Sequence, residues 1–406
     1  MIPGRKPLLA IGIDAGSAHT RCLVLGVENQ CLRYIGHGEH ASRGWARGRL
    51  ADQDAVAESI RWAVRGAEAT AKVQIESAVL GLGGSGIGGG PARWIYELGR
   101  SRKLELADLE YAIRRASRAQ LEEDRLLLQV FPQDFTVDGR AGYRNPRGMN
   151  AELLEAHVHL VTASQQEHNC LVNALHSAHL GVEETVFEPM ASAYASLSQQ
   201  ERSQGVALFD IGLHSTDIVV YHGDSLVLTT SMLVGGEHFT RDLVAGLDHV
   251  LGMQISYEDA EALKVQYGCA LVGMTSDTSL VEVPAPDNRP SRECHRRLLN
   301  TILESRGEDL FDQARKQLAR VMGKIPLDIV LMAGGGSRLA GLVDLAEREL
   351  RCQARIALPV GIADLPETLQ DPTWTTAAGL AMYSARLKFR KENTRRAPGF
   401  LGLVFR

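Results

Sequence analysis

Two short stretches of this chain carry the residue types that handle phosphate. The first is Ile11-Gly12-Ile13-Asp14-Ala15-Gly16-Ser17-Ala18-His19-Thr20, and the second is Phe209-Asp210-Ile211-Gly212-Leu213-His214-Ser215-Thr216-Asp217. In each, an acid ends an apolar run and a glycine follows two positions on. The glycine lets the backbone turn tightly with its N–H groups toward an anion, and Ser17 and Thr20 add hydroxyls. One Asp-x-Gly turn says little, because turns favour these residues anyway. Two copies far apart in the chain predict two lobes that clamp one polyphosphate, with Asp14 and Asp210 facing a hydrated Mg2+ across the cleft. A third stretch, Val330–Ser337, runs from an apolar strand into Gly334, Gly335 and Gly336. Such a turn permits close approach to a flat ligand or its sugar, and a helix N-terminus beyond it favours an anion. Taken alone it is equally a tight strand–helix turn.

The elements that must position these stretches repeat. Leu8–Ile13 and Arg21–Val27 read as a hairpin, and Gly205–Ile211 with Thr216–Tyr221 reads as another, followed by a third strand at Ser225–Ser231. A helix is predicted over Asp54–Ala71, where Val56, Ile60, Val64 and Ala67 recur at helical spacing. Further helices are expected over Gln165–Leu180, with Gly181 as its C-cap, Asp242–Leu251, Tyr257–Tyr267 and His295–Met322, and Val281–Arg292 reads as a proline-rich loop. The stretch from Gly84 to Ala163 differs in texture. A charged amphipathic helix over Ala107–Gln120 and strands at Arg125–Val137 and Ala156–Thr162 predict a compact module inserted into a duplicated α/β body.

Bulk properties exclude several classes. The 406 residues are 45% hydrophobic and 23% charged, as in a globular protein with a real core. A net charge of -5 leaves no basic footprint for nucleic acid. Six cysteines without a C-x-x-C pair read as free thiols of a reducing compartment. Leu8–Ile13 is too short for a secretory core, and no run approaches the roughly 20 apolar residues of a membrane span, so membrane contact is expected to be peripheral. His157 and His159 share one face of a strand and read as surface or core histidines rather than metal ligands.

The three stretches, in this order, resemble the actin/Hsp70/sugar-kinase superfamily. Other motifs are similar to those of FtsA, the actin-like bacterial division family. They include Ser42-Arg43-Gly44, Val130–Phe135 leading to Asn145–Met149, Glu188–Tyr194, Gly235–Asp242, Ala260–Lys264 and Thr375–Leu380. The resemblance covers about Leu9 to Tyr383. It implies an actin-like (ribonuclease H-like) two-lobe fold with an inserted subdomain, termed 1C, at 84–163. Subdomain 1A would span 1–83, 164–195 and 365–390. Subdomain 2A would span 196–234 and 326–364, with 2B at 235–325 and a basic linker and membrane-targeting segment at 391–406.

The resemblance also implies roles. Asp14, Gly16, Ser17, His19 and Thr20 would hold phosphate and magnesium from one lobe, and Asp210, Gly212 and Ser215 from the other. Glu188 would orient water or sit in the magnesium shell. Gly235, Gly236, Asp242, Glu261, Lys264, Gly334, Gly335, Gly336 and Ser337 would frame the adenosine of ATP or ADP. Two departures stand out. His19 occupies a position where the family usually has lysine, and Leu213 and His214 replace two glycines. Side chains there are expected to crowd the phosphate approach and restrict the backbone, giving ATP binding with very slow turnover.

Between Arg386 and Arg406, seven basic residues face one acid, Glu392. Phe400, Leu401, Leu403, Val404 and Phe405 beside them predict an interfacial anchor on an anionic leaflet. The anchor is short, so lasting attachment would need many copies in a polymer. Arg292, Arg296 and Arg306 read either as a solvated helix face or, through the resemblance, as the site of the FtsZ C-terminal peptide. The implied function is a division protein that polymerises at the cytoplasmic face of the inner membrane, tethers FtsZ filaments at the septum and meets later divisome proteins. An actin-like pilus or secretion assembly protein and a small-molecule kinase are the alternatives.

Overall fold

The computed structural model describes residues 8–28, 31–118, 121–285, 290–322 and 327–396, without side chains for 322 and 391–396. The anchor at Phe400–Phe405 lies outside the described residues.

Two sheets share one strand order. In the first, Leu8–Ala15 pairs antiparallel with His19–Glu28, which pairs with Cys31–Ala41, while Ser77–Leu82 and Gly181–Phe187 add in parallel on the other side. In the second, Val206–Ile211, Thr216–His222 and Ser225–Met232 repeat the antiparallel run, and Ile329–Ala333 and Gln353–Ile356 repeat the parallel one. The parallel strands are continuous apolar runs because both faces are covered; Ile13, Leu80, Leu208 and Leu331 are fully buried. The helix expected near Asp54 spans Gln53–Ala71, starts on the Asp52 side chain, and buries Val56, Ile60, Val64 and Ala67.

The strand Cys31–Ala41 carries no clear sequence signal, since Gly36 and Gly38 interrupt it. The helix Gln53–Ala71 crosses that strand so closely that a Cβ at Gly38 would stand 2.0 Å from the Ala63 carbonyl oxygen. A similar contact seats the last helix, Thr375–Arg396, on the first strand: a Cβ at Gly12 would lie 2.4 Å from the Ala381 nitrogen. Two expectations need correction. The helix Gln165–Ser177 is capped at Ala178, and Gly181 begins a strand instead. The proline-rich stretch is bordered by a two-stranded ribbon, Leu280–Val283 with Arg292–His295.

The inserted module is a four-stranded sheet, in the order Ile87–Lys103, Asn150–Ser164, Arg125–Val137, Arg140–Tyr143, backed by the helix Leu106–Arg118. Its longest strand, Ile87–Lys103, was masked in the sequence by Gly88, Gly89, Gly90 and Pro91. The glycines let the module press on the second lobe, where a Cβ at Gly89 would sit 1.6 Å from Thr229 Oγ1. Beside it the buried His159 meets Thr229 Oγ1 through Nε2 at 3.0 Å, as a core histidine.

Candidate functional site

The two hairpin turns converge on one cleft of about 560 Å3, within the usual range for small-molecule sites. Asp14, Gly16, Ser17 and His19 line it from the first lobe, and Asp210, Gly212 and Ser215 from the second. Thr20 does not reach it; the residue is fully buried with Oγ1 2.8 Å from Ser42 Oγ. The expected crowding at the second turn is only half observed. Leu213 lines the cleft. His214 turns away and sets Nε2 3.3 Å from Glu237 Oε2. Neither residue has a positive φ, so the turn is one that side chains adopt without strain.

Four acids gather at the middle of the cleft: Asp14, Glu188, Asp210 and Asp217. Asp210 Oδ2 accepts from Ser192 Oγ at 3.0 Å and Thr376 Oγ1 at 2.9 Å. Asp217 Oδ2 accepts from the Gly84 nitrogen at 2.8 Å. Gly83 separates two of the acids, since its Cβ would lie 2.2 Å from Glu188 Oε2 and 2.7 Å from Asp217 Oδ2. Burial pushes the Asp14 carboxyl up to about 7, with Arg21 opposing and Asp210 adding to the rise. Burial likewise raises Asp217 to about 6. Burial and the charges of Asp14, Asp210 and Asp217 hold Glu188 well above the carboxylate range. Burial raises Asp210, against its bonds to Thr376 and Ser192.

Among the described residues no hydrogen bond offsets the burial of the Glu188 carboxyl, and no three His, Cys, Asp or Glu side chains are grouped to ligate one ion directly. Such a set of crowded acids fits a hydrated divalent ion better than a dehydrated one. The raised carboxyls also set a pH dependence. The folded chain holds protons that the unfolded chain has released above about pH 4, so this contribution to stability is lost as pH rises through about 7. Melting temperatures of the ligand-free protein should therefore fall between pH 5 and 7.5 more steeply than those of Asp14→Asn. Equal slopes would show that Asp14 does not titrate in this window.

The structure adds a cation that the sequence reading passed over. Arg21 pairs with Asp14 in the hairpin register, lines the cleft, and meets Glu39 at 2.7 Å. Directly paired antiparallel residues share a face, so the register of the motif itself held this signal. His19 is a weaker cation, because partial burial and the Arg21 charge hold its imidazole below the ordinary range. Asp217, the last residue of the second motif, was missed in the same way; it pairs with Asp210.

At the other end, Gly236, Glu261, Lys264 and Gly334 to Gly336 line the cleft. Lys264 Nζ is fully engaged, by the Gly236 oxygen at 3.0 Å, Thr240 Oγ1 at 2.8 Å and Glu261 Oε2 at 2.7 Å. Ser337 is buried behind the wall and donates to the Gly334 oxygen at 2.7 Å. Gly235 packs behind the second turn, where its Cβ would be 2.7 Å from the Gly212 oxygen. Asp242 is held by Arg306 Nε at 2.6 Å and is not among the residues lining the cleft.

That pairing also alters the arginine cluster. Arg306 is tied to Asp242 and Asp309, Arg292 is exposed on the ribbon, and Arg296 lines the cleft. The three do not present one cationic face.

Two lobes with the same strand order, a shared cleft and an inserted module define an actin-like α/β protein. Solved structures agree on the fold. A PilM–PilN type IV pilus biogenesis complex matches with a TM-score of 0.66 at 18% identity, covering 93% of this chain and 99% of that one. MreB 5 of Spiroplasma citri bound to AMPPNP matches with a TM-score of 0.57 at 14% identity, covering 96% and 99%. Within this class the chain belongs to the family of cell division protein FtsA. The sequence model of that family matches residues 207–379, and that of the SHS2 domain inserted in FtsA matches residues 93–162. FtsA of Pseudomonas aeruginosa is 30% identical over 379 residues, 92% of this chain and 89% of the relative. FtsA of Escherichia coli K12 is 30% identical over 392 residues, 94% and 92%. FtsA of Borreliella burgdorferi is 31% identical over 389 residues, 94% and 92%. Among the described residues no helix is long and apolar enough to cross a membrane.

Proposed function

We propose that this chain is a nucleotide-dependent scaffold of bacterial division. It binds ATP or ADP with Mg2+ between its lobes and self-associates into filaments. It attaches to the anionic inner membrane through residues 400–405 and holds the FtsZ C-terminal peptide on its second lobe. The subdomain boundaries at 83/84, 163/164, 195/196, 234/235, 325/326, 364/365 and 390/391 belong to the same reading, as do contacts with later divisome proteins. The observation that carries it is the convergence of both hairpin turns, four acids and the glycine turn Gly334–Gly336 on one cleft, in a chain of the FtsA family.

In this reading Asp14, Gly16, Ser17, Asp210, Gly212 and Ser215 surround the phosphates, with Arg21 as their fixed cation. A bound Mg2+ would neutralise phosphate charge, its water shell facing Asp14, Asp210 and Glu188. Turnover is slow, because Leu213 lines the phosphate approach and His19 is a weaker cation than a lysine there. Arg292, exposed on the ribbon, is the best placed of the three arginines for an acidic peptide.

Vesicle pelleting tests the whole reading. With anionic vesicles, the full chain and ATP should carry purified FtsZ into the pellet. Deleting Gly399–Arg406 should leave nucleotide binding intact and both proteins in the supernatant. Pelleting unchanged by the deletion would remove the anchor, and FtsZ left behind by a pelleted full chain would remove the tether.

A further inference from the structure

One arginine of the cleft differs from its neighbours. Arg306, Arg348 and Arg297 are each spent on carboxylates. Arg296 instead hangs from the Tyr267 carbonyl oxygen by Nε at 2.6 Å, half-buried in the cleft wall. Among the described residues nothing bonds to its two terminal nitrogens. A second guanidinium, Arg338, lines the same cleft and keeps only a loose approach to Asp371, 3.6 Å from Nε. The two stand on neighbouring segments. A parallel bridge joins Cys269 to Ala340, and the Ala270 nitrogen donates to the Ala340 oxygen at 2.7 Å. The chain that carries Arg338 is thereby fixed beside the chain whose carbonyl holds Arg296. Val265 and Leu339 supply apolar wall at this end, and Lys264 is already fully engaged.

Two planar guanidinium groups and apolar walls suit a flat, electron-rich ring. A planar guanidinium stacks flat on such faces, whereas an ammonium offers only a compact, strongly hydrated point charge. We propose that Arg296 and Arg338 grip the base of a bound purine nucleotide by stacking, resting on the nucleotide-binding reading above. Stacking uses the ring face, which every purine has, and ignores the pattern of donors and acceptors at its edge. The site therefore discriminates weakly between adenine and guanine.

Calorimetric titration of the full chain with ATP, GTP and inorganic tripolyphosphate, all with Mg2+, tests this. Wild type should bind ATP and GTP within about fivefold of each other. Arg296→Ala and Arg338→Ala should each weaken both nucleotides by about tenfold, in line with roughly 1–3 kcal/mol per stacked base, and leave tripolyphosphate unchanged. Arg296→Lys should fail to restore affinity although it keeps the charge. Rescue by lysine, or equal loss of tripolyphosphate, would overturn stacking in favour of a simple phosphate contact. Strong preference for one purine in wild type would overturn base tolerance. Wild type that binds tripolyphosphate but no nucleotide would overturn the base site alone, whereas no binding of any probe would overturn the nucleotide reading itself. Unchanged melting temperatures confirm that the variants fold.

Discussion

Replacing Arg21 with alanine should lower the affinity for Mg–ATP about a hundredfold, whereas His19→Ala should change it by less than about threefold. Arg21 is a permanent cation whose side chain is only 13% exposed, on the strand register of Asp14. Removing one member of a close, desolvated charge contact costs about 2–5 kcal/mol, and a hundredfold corresponds to about 2.7 kcal/mol. His19 also lines the cleft but is held neutral near pH 7. Calorimetric titration of the two variants decides between them. As a control, Glu39→Gln removes the other partner of Arg21 and should leave affinity within about threefold. If His19→Ala proves the more damaging substitution, the phosphates lie nearer the turn than Arg21.

The second large effect is structural. Gly334→Ala should destabilise the protein by about 3 kcal/mol or more and abolish nucleotide binding. Gly334 has φ 78°, and an added Cβ would stand 2.5 Å from Asp210 Oδ1 and 2.5 Å from the Ile211 carbonyl oxygen. Left-handed strain on a residue with a Cβ costs about 1–3 kcal/mol by itself, and the clash with a buried carboxylate adds to it. The neighbouring Gly335→Ala is the control. Its Cβ would meet nothing nearer than Thr373 Cγ2 at 3.9 Å, so it should cost less than about 1 kcal/mol. Denaturant melts of the pair would show the contrast; similar midpoints would mean that the turn rearranges and that Gly334 is not what lets Asp210 sit where it does.

Much of the fold was readable because its signals are local. Continuous apolar runs at Leu8–Ile13 and Gly205–Ile211, each followed by Asp-x-Gly, mark strand and turn within ten residues. The helix face of Val56, Ile60, Val64 and Ala67 follows from its spacing alone. Strands such as Cys31–Ala41 and Ile87–Lys103 were hidden because their glycines answer to a distant partner. Gly38 is small for the helix that crosses it, and Gly89 for Thr229 of the other lobe. Sequence pattern carries propensity, whereas these glycines record close approach.

The candidate site divides along the same line. Residues that belong to a turn motif, such as Asp14, Gly16, Asp210 and Gly212, line one cleft. Thr20, Asp242 and Ser337 do not, because each side chain is claimed by a partner elsewhere: Ser42, Arg306 and the Gly334 carbonyl. Arg296 went the other way. A helix-face arginine in the sequence becomes a cleft residue once Tyr267 holds its Nε.

The amino-acid sequence by itself determined the duplicated α/β body, the inserted module and the FtsA resemblance, since each rests on periodicity and short motifs. Only the tertiary structure decided which charges face the cleft and which are neutralised by partners far along the chain. It also decided that His214 turns away from the cleft while Leu213 lines it. The reason is physical: a side chain's role depends on the dielectric, the neighbours and the free space around it, and long-range packing sets all three.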